Sequence, residues 1–277
     1  MTDIPTLTMA DGHSIPQFGF GLWQVAEDEA ADAVAGALAL GYPLIDGAYL
    51  YLNEAGLGEG LRRSGVARDE VFITTKVWNN EQGRDKARAS VMRSLETIGV
   101  DRLDLVLIHW PVPDQDLYLE TWEAFIEMRD EGLMRSIGVS NFNADHLDRI
   151  IDATGVVPVL NQIELNPELQ QPRMRRVNAA RGIVTQAWTP LGNGRSFEKA
   201  PLAEAAKRHG KSPAQVVLRW QLQLGNAVIS RSVNPGRQAE NIDVFDFELS
   251  DDEMAAIATL DVGLRTGPDP SVFKFMS

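Results

Sequence analysis

The sequence predicts a (β/α)8 TIM barrel, and three observations carry the prediction. Eight short apolar, β-branched runs recur along the 277 residues: FGFGLWQ, YPLIDGA, VFITTKVW, LDLVLIHW, SIGVSN, PVLNQIEL, IVTQAWTP and AVISRSV. Stretches with helical spacing separate most of them, among them AEDEAADAVAGALALG, RDKARASVMRSLETIG, YLETWEAFIEMRDEG and SPAQVVLRWQLQLG. An open doubly wound sheet, the main rival, would usually carry a G-x-G-x-x-G turn after its first strand, and GFGLWQ does not have that form.

Residues 1–17 include TLTMADGHSIPQ, which reads as an N-terminal β-hairpin around a D-G turn that closes the barrel floor. The eight strand-helix alternations follow, ending in SDDEMAAIATL, and residues 261–277 form an irregular C-terminal tail with prolines and glycines in quick succession. No Pro/Ser-rich linker, low-complexity tract or long block of one charge interrupts the pattern, so residues 1–277 are expected to form one barrel domain, a size common for this architecture.

Composition narrows the function. Hydrophobic residues make up 44% of the chain and charged ones 23%, ordinary values for a globular enzyme. Twenty-six Lys and Arg against 39 Asp and Glu leave a net charge of −13, which argues against nucleic acid as a partner. There is no cysteine, hence no disulfide, thiolate nucleophile or thiolate-bound metal. The start, MTDIPTLTMADGH, lacks a basic segment leading into an apolar one, and no apolar run approaches membrane-spanning length. A cytoplasmic monomer acting on a small molecule, with no membrane partner, is the expectation.

Active sites of such barrels sit at the C-terminal ends of the strands. There the second run delivers Asp46 and then Tyr51, the third Lys76 and Trp78, the fourth His109 and Trp110. Taken singly, an aspartate after a strand is commonly a cap, a lysine is commonly solvated, and a histidine is commonly a satisfied core or surface group. Their convergence from three successive strands points instead to a catalytic cluster. Trp23, Trp78, Trp110 and Trp188 follow four of the runs, and large rings gathered at one rim suggest an apolar cup rather than ordinary core packing.

The motifs at these positions are specific. They read G-Y-x-x-I-D-x-A-x-x-Y-x-N-E over residues 41–54, T-T-K-x-W over 74–78, L-x-L-I-H-W-P over 105–111, S-I-G-V-S-N-F over 136–142 and N-Q-I-E-L-N-P over 161–167, with P-L-G at 190–192. In this order the chain resembles the aldo-keto reductases, most closely the bacterial 2,5-diketo-gluconate reductase group. The resemblance implies NADPH-dependent reduction of a carbonyl, an aldehyde, ketone or sugar-derived dicarbonyl such as 2,5-diketo-gluconate or methylglyoxal, without a metal. It assigns Tyr51 as the proton donor, since the family places that tyrosine five residues after the aspartate, and leaves Tyr49 as pocket wall. Lys76 is then the cation expected to lower the tyrosine's pKa, Asp46 the carboxylate that keeps the lysine charged, and His109 a neutral imidazole orienting the carbonyl.

For the cofactor the resemblance implies Ser140, Asn141 and Gln162 at the nicotinamide carboxamide, with Trp188 stacked on the ring. Gly21, Leu22, Pro190, Leu191 and Gly192 would follow the dinucleotide. Arg231, Ser232 and Arg237 would grip the adenosine 2′-phosphate, where guanidinium forks, a hydroxyl and a helix start suit a phosphate monoester, and Val233, Asn234 and Asn241 would also bind the cofactor. Trp23, Tyr49, Leu50, Trp78 and Trp110 would face the substrate.

The chain departs from the family pattern at Pro43, Gly47, Tyr49 and Leu52, beside the tyrosine, which makes substrate preference unsafe to transfer. Proline removes a ladder donor, so Pro43 should mark the start of its strand. Two other functions share much of this pattern: an NADPH-binding sensing subunit with slow turnover, and a non-redox lyase or isomerase working through Lys76, which would not need the arginines near residue 231.

Overall fold

A computed structural model describes residues 4–274, so the ends of the expected hairpin segment and tail lie outside the described residues. Strands β1 (Thr6–Thr8) and β2 (Ser14–Pro16) pair antiparallel around the Asp11-Gly12 turn. Eight parallel strands then close a barrel: β3 (Phe18–Gly21), β4 (Leu44–Asp46), β5 (Phe72–Val77), β6 (Leu103–Ile108), β7 (Met134–Ser140), β8 (Leu160–Glu164), β9 (Val184–Trp188) and β10 (Ala227–Ser230), with β10 pairing back onto β3. Pro43 directly precedes β4 and gives only its carbonyl, to Phe72 N at 2.8 Å.

Alternation along each strand separates the two cores. Phe18, Phe20, Ile45, Ile73, Val106 and Val139 face outward into the layer of helices. Inward-facing Leu44, Leu105, Leu107, Leu160 and Ile229 meet Met9 and Ile15 of the hairpin segment, which thus plugs the barrel floor with apolar side chains. Residues two or four positions further along the same inward face are Asp46, His109 and Gln162, and Lys76 stands four after Phe72 of that floor. The interior is therefore apolar below and polar above.

The first helices are α1 (Glu27–Ala39), α2 (Glu54–Ser64), α3 (Arg84–Ile98), α4 (Tyr118–Asp130) and α5 (Ala144–Thr154). They continue with α6 (Pro172–Ala180), α7 (Ala200–His209), α8 (Pro213–Gln223), α9 (Pro235–Ile242) and α10 (Asp251–Ala258). Two helices, α7 and α8, fill the connection between β9 and β10. Helix α2 forms despite three glycines because a side chain would prevent close packing. A Cβ at Gly60 would stand 2.6 Å from that of Val34, and one at Gly58 would lie 2.1 Å from the Ile98 carbonyl. Boundaries follow local chemistry: Ser212 and Ser250 cap α8 and α10 with reciprocal Gln215 and Glu253 partners, and glycines end α2, α3 and α5 in left-handed conformation. No helix among the described residues is long and apolar enough to cross a membrane.

Residues 261–274 contain no helix or strand, but they are not a passive surface segment. The Glu164 carboxylate accepts from Thr266 N at 2.6 Å, Thr266 Oγ1 at 2.5 Å and Gly267 N at 3.1 Å. That anchor carries Phe273 to the strand ends, where its ring lies 4.4 Å from Trp110 and 6.4 Å from Trp78.

Candidate active site

Strain concentrates at one end of the barrel. Every non-glycine residue with positive φ among those described, from Gln24 (58°) through Leu52 (56°) and Asn141 (63°) to Thr189 (49°) and Asn193 (57°), lies in a connection leaving the C-terminal end of a barrel strand. Such conformations cost about 1 kcal/mol or more each and persist where the surroundings over-determine them, commonly at functional sites.

At that end the structure brings Asp46, Lys76, Tyr51 and His109 together. Lys76 is wholly buried, and its Nζ donates to Asp46 Oδ2 at 2.6 Å and to the Gly47 carbonyl at 2.8 Å. The Tyr51 hydroxyl lies 3.4 Å from the same nitrogen. Tyr51 belongs to a 3-10 turn, Tyr49–Tyr51, whose left-handed cap Leu52 turns the chain into α2. This turn separates the two tyrosines: Tyr51 points to Lys76, while the Tyr49 ring is covered by the Arg93 guanidinium at 4.6 Å, away from the lysine. The His109 ring stands edge-on to Tyr51 at 5.8 Å and to Trp78 at 4.8 Å.

Electrostatics differ from the sequence expectation at one point. Lys76 was expected to draw the phenol's pKa down. Instead, burial is the larger influence and the Asp46 charge adds to it, so Tyr51 sits well above the ordinary tyrosine value and stays protonated at neutral pH. Burial also lowers Lys76, opposed by Asp46 and Glu54. His109 is held well below the usual histidine range by burial and by the Lys76 charge, and is a neutral imidazole at pH 7.

Trp78, Trp110 and Val112 form an apolar cluster with Tyr49, Leu50, Trp188 and Phe273. Trp23, 48% exposed, closes the other side with its ring 5.1 Å from Tyr51. The cup expected from tryptophans thus exists, with Val112 and Phe273 added from loop and tail. Their sequence signals are weak, since one valine and one phenylalanine in irregular segments carry no periodicity.

Ser140, Asn141 and Gln162 are wired to the cluster of Asp46, Lys76, Tyr51 and His109. Asn141 Nδ2 donates to the His109 carbonyl and to Ser140 Oγ, both at 3.0 Å, and its Oδ1 accepts from Trp188 Nε1 at 2.9 Å. Ser140 Oγ donates to the Gln162 carbonyl at 2.8 Å. Gln162 Nε2 donates to Asp46 Oδ1 at 2.8 Å and to Gln186 Oε1 at 2.7 Å. Gln186 was not singled out in the sequence, although a polar residue two positions before Trp188 on an alternating strand must share its inward face.

The segment after β10 forms a second cluster. Asn234 caps α9 through its Oδ1 to Arg237 N at 3.1 Å, and Ser232 Oγ accepts from Asn234 N at 3.1 Å. Arg231 and Arg237 are exposed and form no ion pair among the described residues, although Arg231 reaches Gln24 Oε1 at 3.4 Å. Val233 is exposed, whereas Asn241 is buried within α9. Leu22 buries its side chain completely, and its backbone is engaged too: its N–H donates to the Asp46 carbonyl at 3.0 Å and its carbonyl accepts from Asn53 Nδ2 at 3.0 Å and Val25 N at 3.1 Å. Gly21 closes β3, and Pro190, Leu191 and Gly192 follow β9 into a 3-10 turn.

Known proteins are similar to this chain in sequence and fold. A model of the aldo/keto reductase family matches residues 16–262. An aldo-keto reductase of Mycolicibacterium smegmatis is 50% identical over 271 residues, covering 98% of both chains. The methylglyoxal reductase DkgA of Escherichia coli is 46% identical over 275 residues, covering 99% of both. Among solved structures, Gox0644 in its apo form has a TM-score of 0.95 at 47% identity, covering 99% of this chain and 100% of that one. A mutant of Gox0644 solved in complex with NADPH has a TM-score of 0.95 at 46% identity, again covering 99% and 100%.

Proposed function

The chain belongs to the aldo/keto reductase family and catalyses NADPH-dependent reduction of a carbonyl to an alcohol, and we propose that Tyr51 is its proton donor. The observation that carries this assignment is the Lys76 ammonium held between Asp46 at 2.6 Å and the Tyr51 hydroxyl at 3.4 Å beneath an apolar mouth. Bound NADPH supplies the hydride. The remaining chemistry belongs to the side chains. Tyr51 gives its proton to the carbonyl oxygen as negative charge develops there, and Lys76 stabilises the phenolate that results. Asp46 keeps Lys76 charged against its burial. His109, neutral, hydrogen-bonds the carbonyl oxygen and sets it over Tyr51. The apolar cup excludes water, which strengthens each of these interactions.

The residues present fit the cofactor. Gln162 has committed both hydrogens of its amide nitrogen, leaving Oε1, without a hydrogen-bond partner among the described residues, as an acceptor for a carboxamide N–H. Arg231 and Arg237 beside the start of α9, exposed and in no ion pair among the described residues, supply guanidinium groups for a 2′-phosphate. A small dicarbonyl such as methylglyoxal, on which the Escherichia coli relative is named to act, is the first substrate to test. A cytoplasmic monomer is part of the same reading.

Replacing Arg231 and Arg237 together by alanine tests the cofactor assignment. NADPH binding, followed by quenching of tryptophan fluorescence, should weaken about 10- to 100-fold, the scale of one charge-assisted hydrogen bond. NADH binding should change little. Equal losses for both cofactors would remove these arginines from the 2′-phosphate.

A further inference from the structure

Strands β8 and β9 run in a register that places Gln162 opposite Gln186. Gln186 is fully buried, one inward position below Trp188. From it a continuous chain of contacts runs to the phenol. Gln186 Oε1 accepts from Gln162 Nε2 at 2.7 Å, and the same nitrogen donates to Asp46 Oδ1 at 2.8 Å. Asp46 Oδ2 accepts from Lys76 Nζ at 2.6 Å, and Nζ lies 3.4 Å from the Tyr51 hydroxyl.

We propose that Gln186 is a positioning residue for carbonyl reduction: it fixes the Gln162 amide, and through it the orientation of the Asp46 carboxylate that holds Lys76 against Tyr51. The proposal rests on Asp46, Lys76 and Tyr51 being the proton-donating set.

The Gln162 amide nitrogen has two hydrogens, and its two acceptors come from strands on different sides of the barrel interior. With both satisfied, the amide plane is set, Oε1 is turned to its free side, and Asp46 Oδ1 is held so that Oδ2 meets Lys76. With the acceptor at 186 removed, one N–H is left buried without a partner, which drives Gln162 to turn and loosens its hold on Asp46. Only the acceptor half of Gln186 is used, since its own buried Nε2 has no hydrogen-bond partner among the described residues. A residue kept solely to fill space would not need that oxygen. A glutamate of the same length, which burial favours in its protonated form, would keep a carbonyl oxygen at this position and preserve the link, and a methionine of similar volume would break it.

The test is steady-state carbonyl reduction by the full chain with NADPH and methylglyoxal. Gln186→Met should lower kcat about tenfold with the carbonyl KM within about twofold, the pattern of an interaction lost in the transition state. Gln186→Glu should stay within about threefold of the wild type. In an Asp46→Asn background, itself strongly impaired, Gln186→Met should add less than about a twofold loss, because the partner it orients is already disabled. If Gln186→Met does not fold, Gln186→Thr, too short to reach Gln162, replaces it in both backgrounds. Full activity in the link-breaking variant, a glutamate as damaging as methionine, or an undiminished loss in the Asp46→Asn background would each overturn the proposal. An Asp46→Asn protein as active as the wild type would overturn the proton-donating set itself, and the role of Gln186 with it.

Discussion

Tyr51→Phe is expected to lower kcat by about 10²–10⁴-fold, the loss typical of a removed general acid, while NADPH still quenches tryptophan fluorescence with nearly unchanged affinity. Tyr49→Phe should keep most of the activity. The two substitutions remove the same atom from neighbouring residues, so packing alone would not separate them. What separates them is direction: the 3-10 turn sends one hydroxyl to Lys76 and seats the other ring under Arg93. The reverse pattern of activities would show that the wrong tyrosine has been assigned.

Lys76→Met should abolish most reduction and also destabilise the fold. The fully buried lysine is the cation facing a buried Asp46, and deleting one partner of a buried pair costs about 3–5 kcal/mol because the other charge is left unpaired. A second substitution, Asp46→Asn, should restore most of the stability without restoring activity. Denaturant midpoints of the wild type, the single variant and the double variant test this, and a single variant as stable as the wild type would show that the pair carries no such strain. Lys76 also bears on the lyase alternative. Its ammonium is held by three oxygen atoms, of Asp46, Gly47 and Tyr51, so borohydride should trap no substrate on it; a substrate-dependent adduct would make it a Schiff-base lysine.

The features legible in the sequence are those fixed by local pattern. Period-two alternation in LIDG, FITTKVW and LVLIHW puts Asp46, Lys76 and His109 on the face that lower down carries Leu44, Phe72 and Leu105, so the parity of the floor predicts the parity of the site. Helix α2 was harder to read because Gly56, Gly58 and Gly60 oppose helix formation locally and make sense only against Ala30, Ile98 and Val34, which are distant in sequence. Helix α7 fell within what the alternation treated as a single connection. The anchoring of the tail by Glu164, the link from Gln186 to Asp46 and the upward shift of Tyr51 depend on partners from other strands, and spacing along the chain holds no record of them.

Isotope transfer tests the central claim most directly. Purified protein is mixed with NADPH carrying deuterium on the transferable position of the nicotinamide, and then with methylglyoxal and a panel of simple aldehydes and ketones. Binding is monitored by tryptophan quenching. The account predicts that for at least one carbonyl the deuterium ends on the carbinol carbon of the product, one label for each NADPH consumed, and that Tyr51→Phe binds the cofactor yet forms labelled alcohol at least about a hundredfold more slowly. Tight NADPH binding with the label retained in the cofactor against every carbonyl would contradict it and identify a sensing protein in place of a reductase.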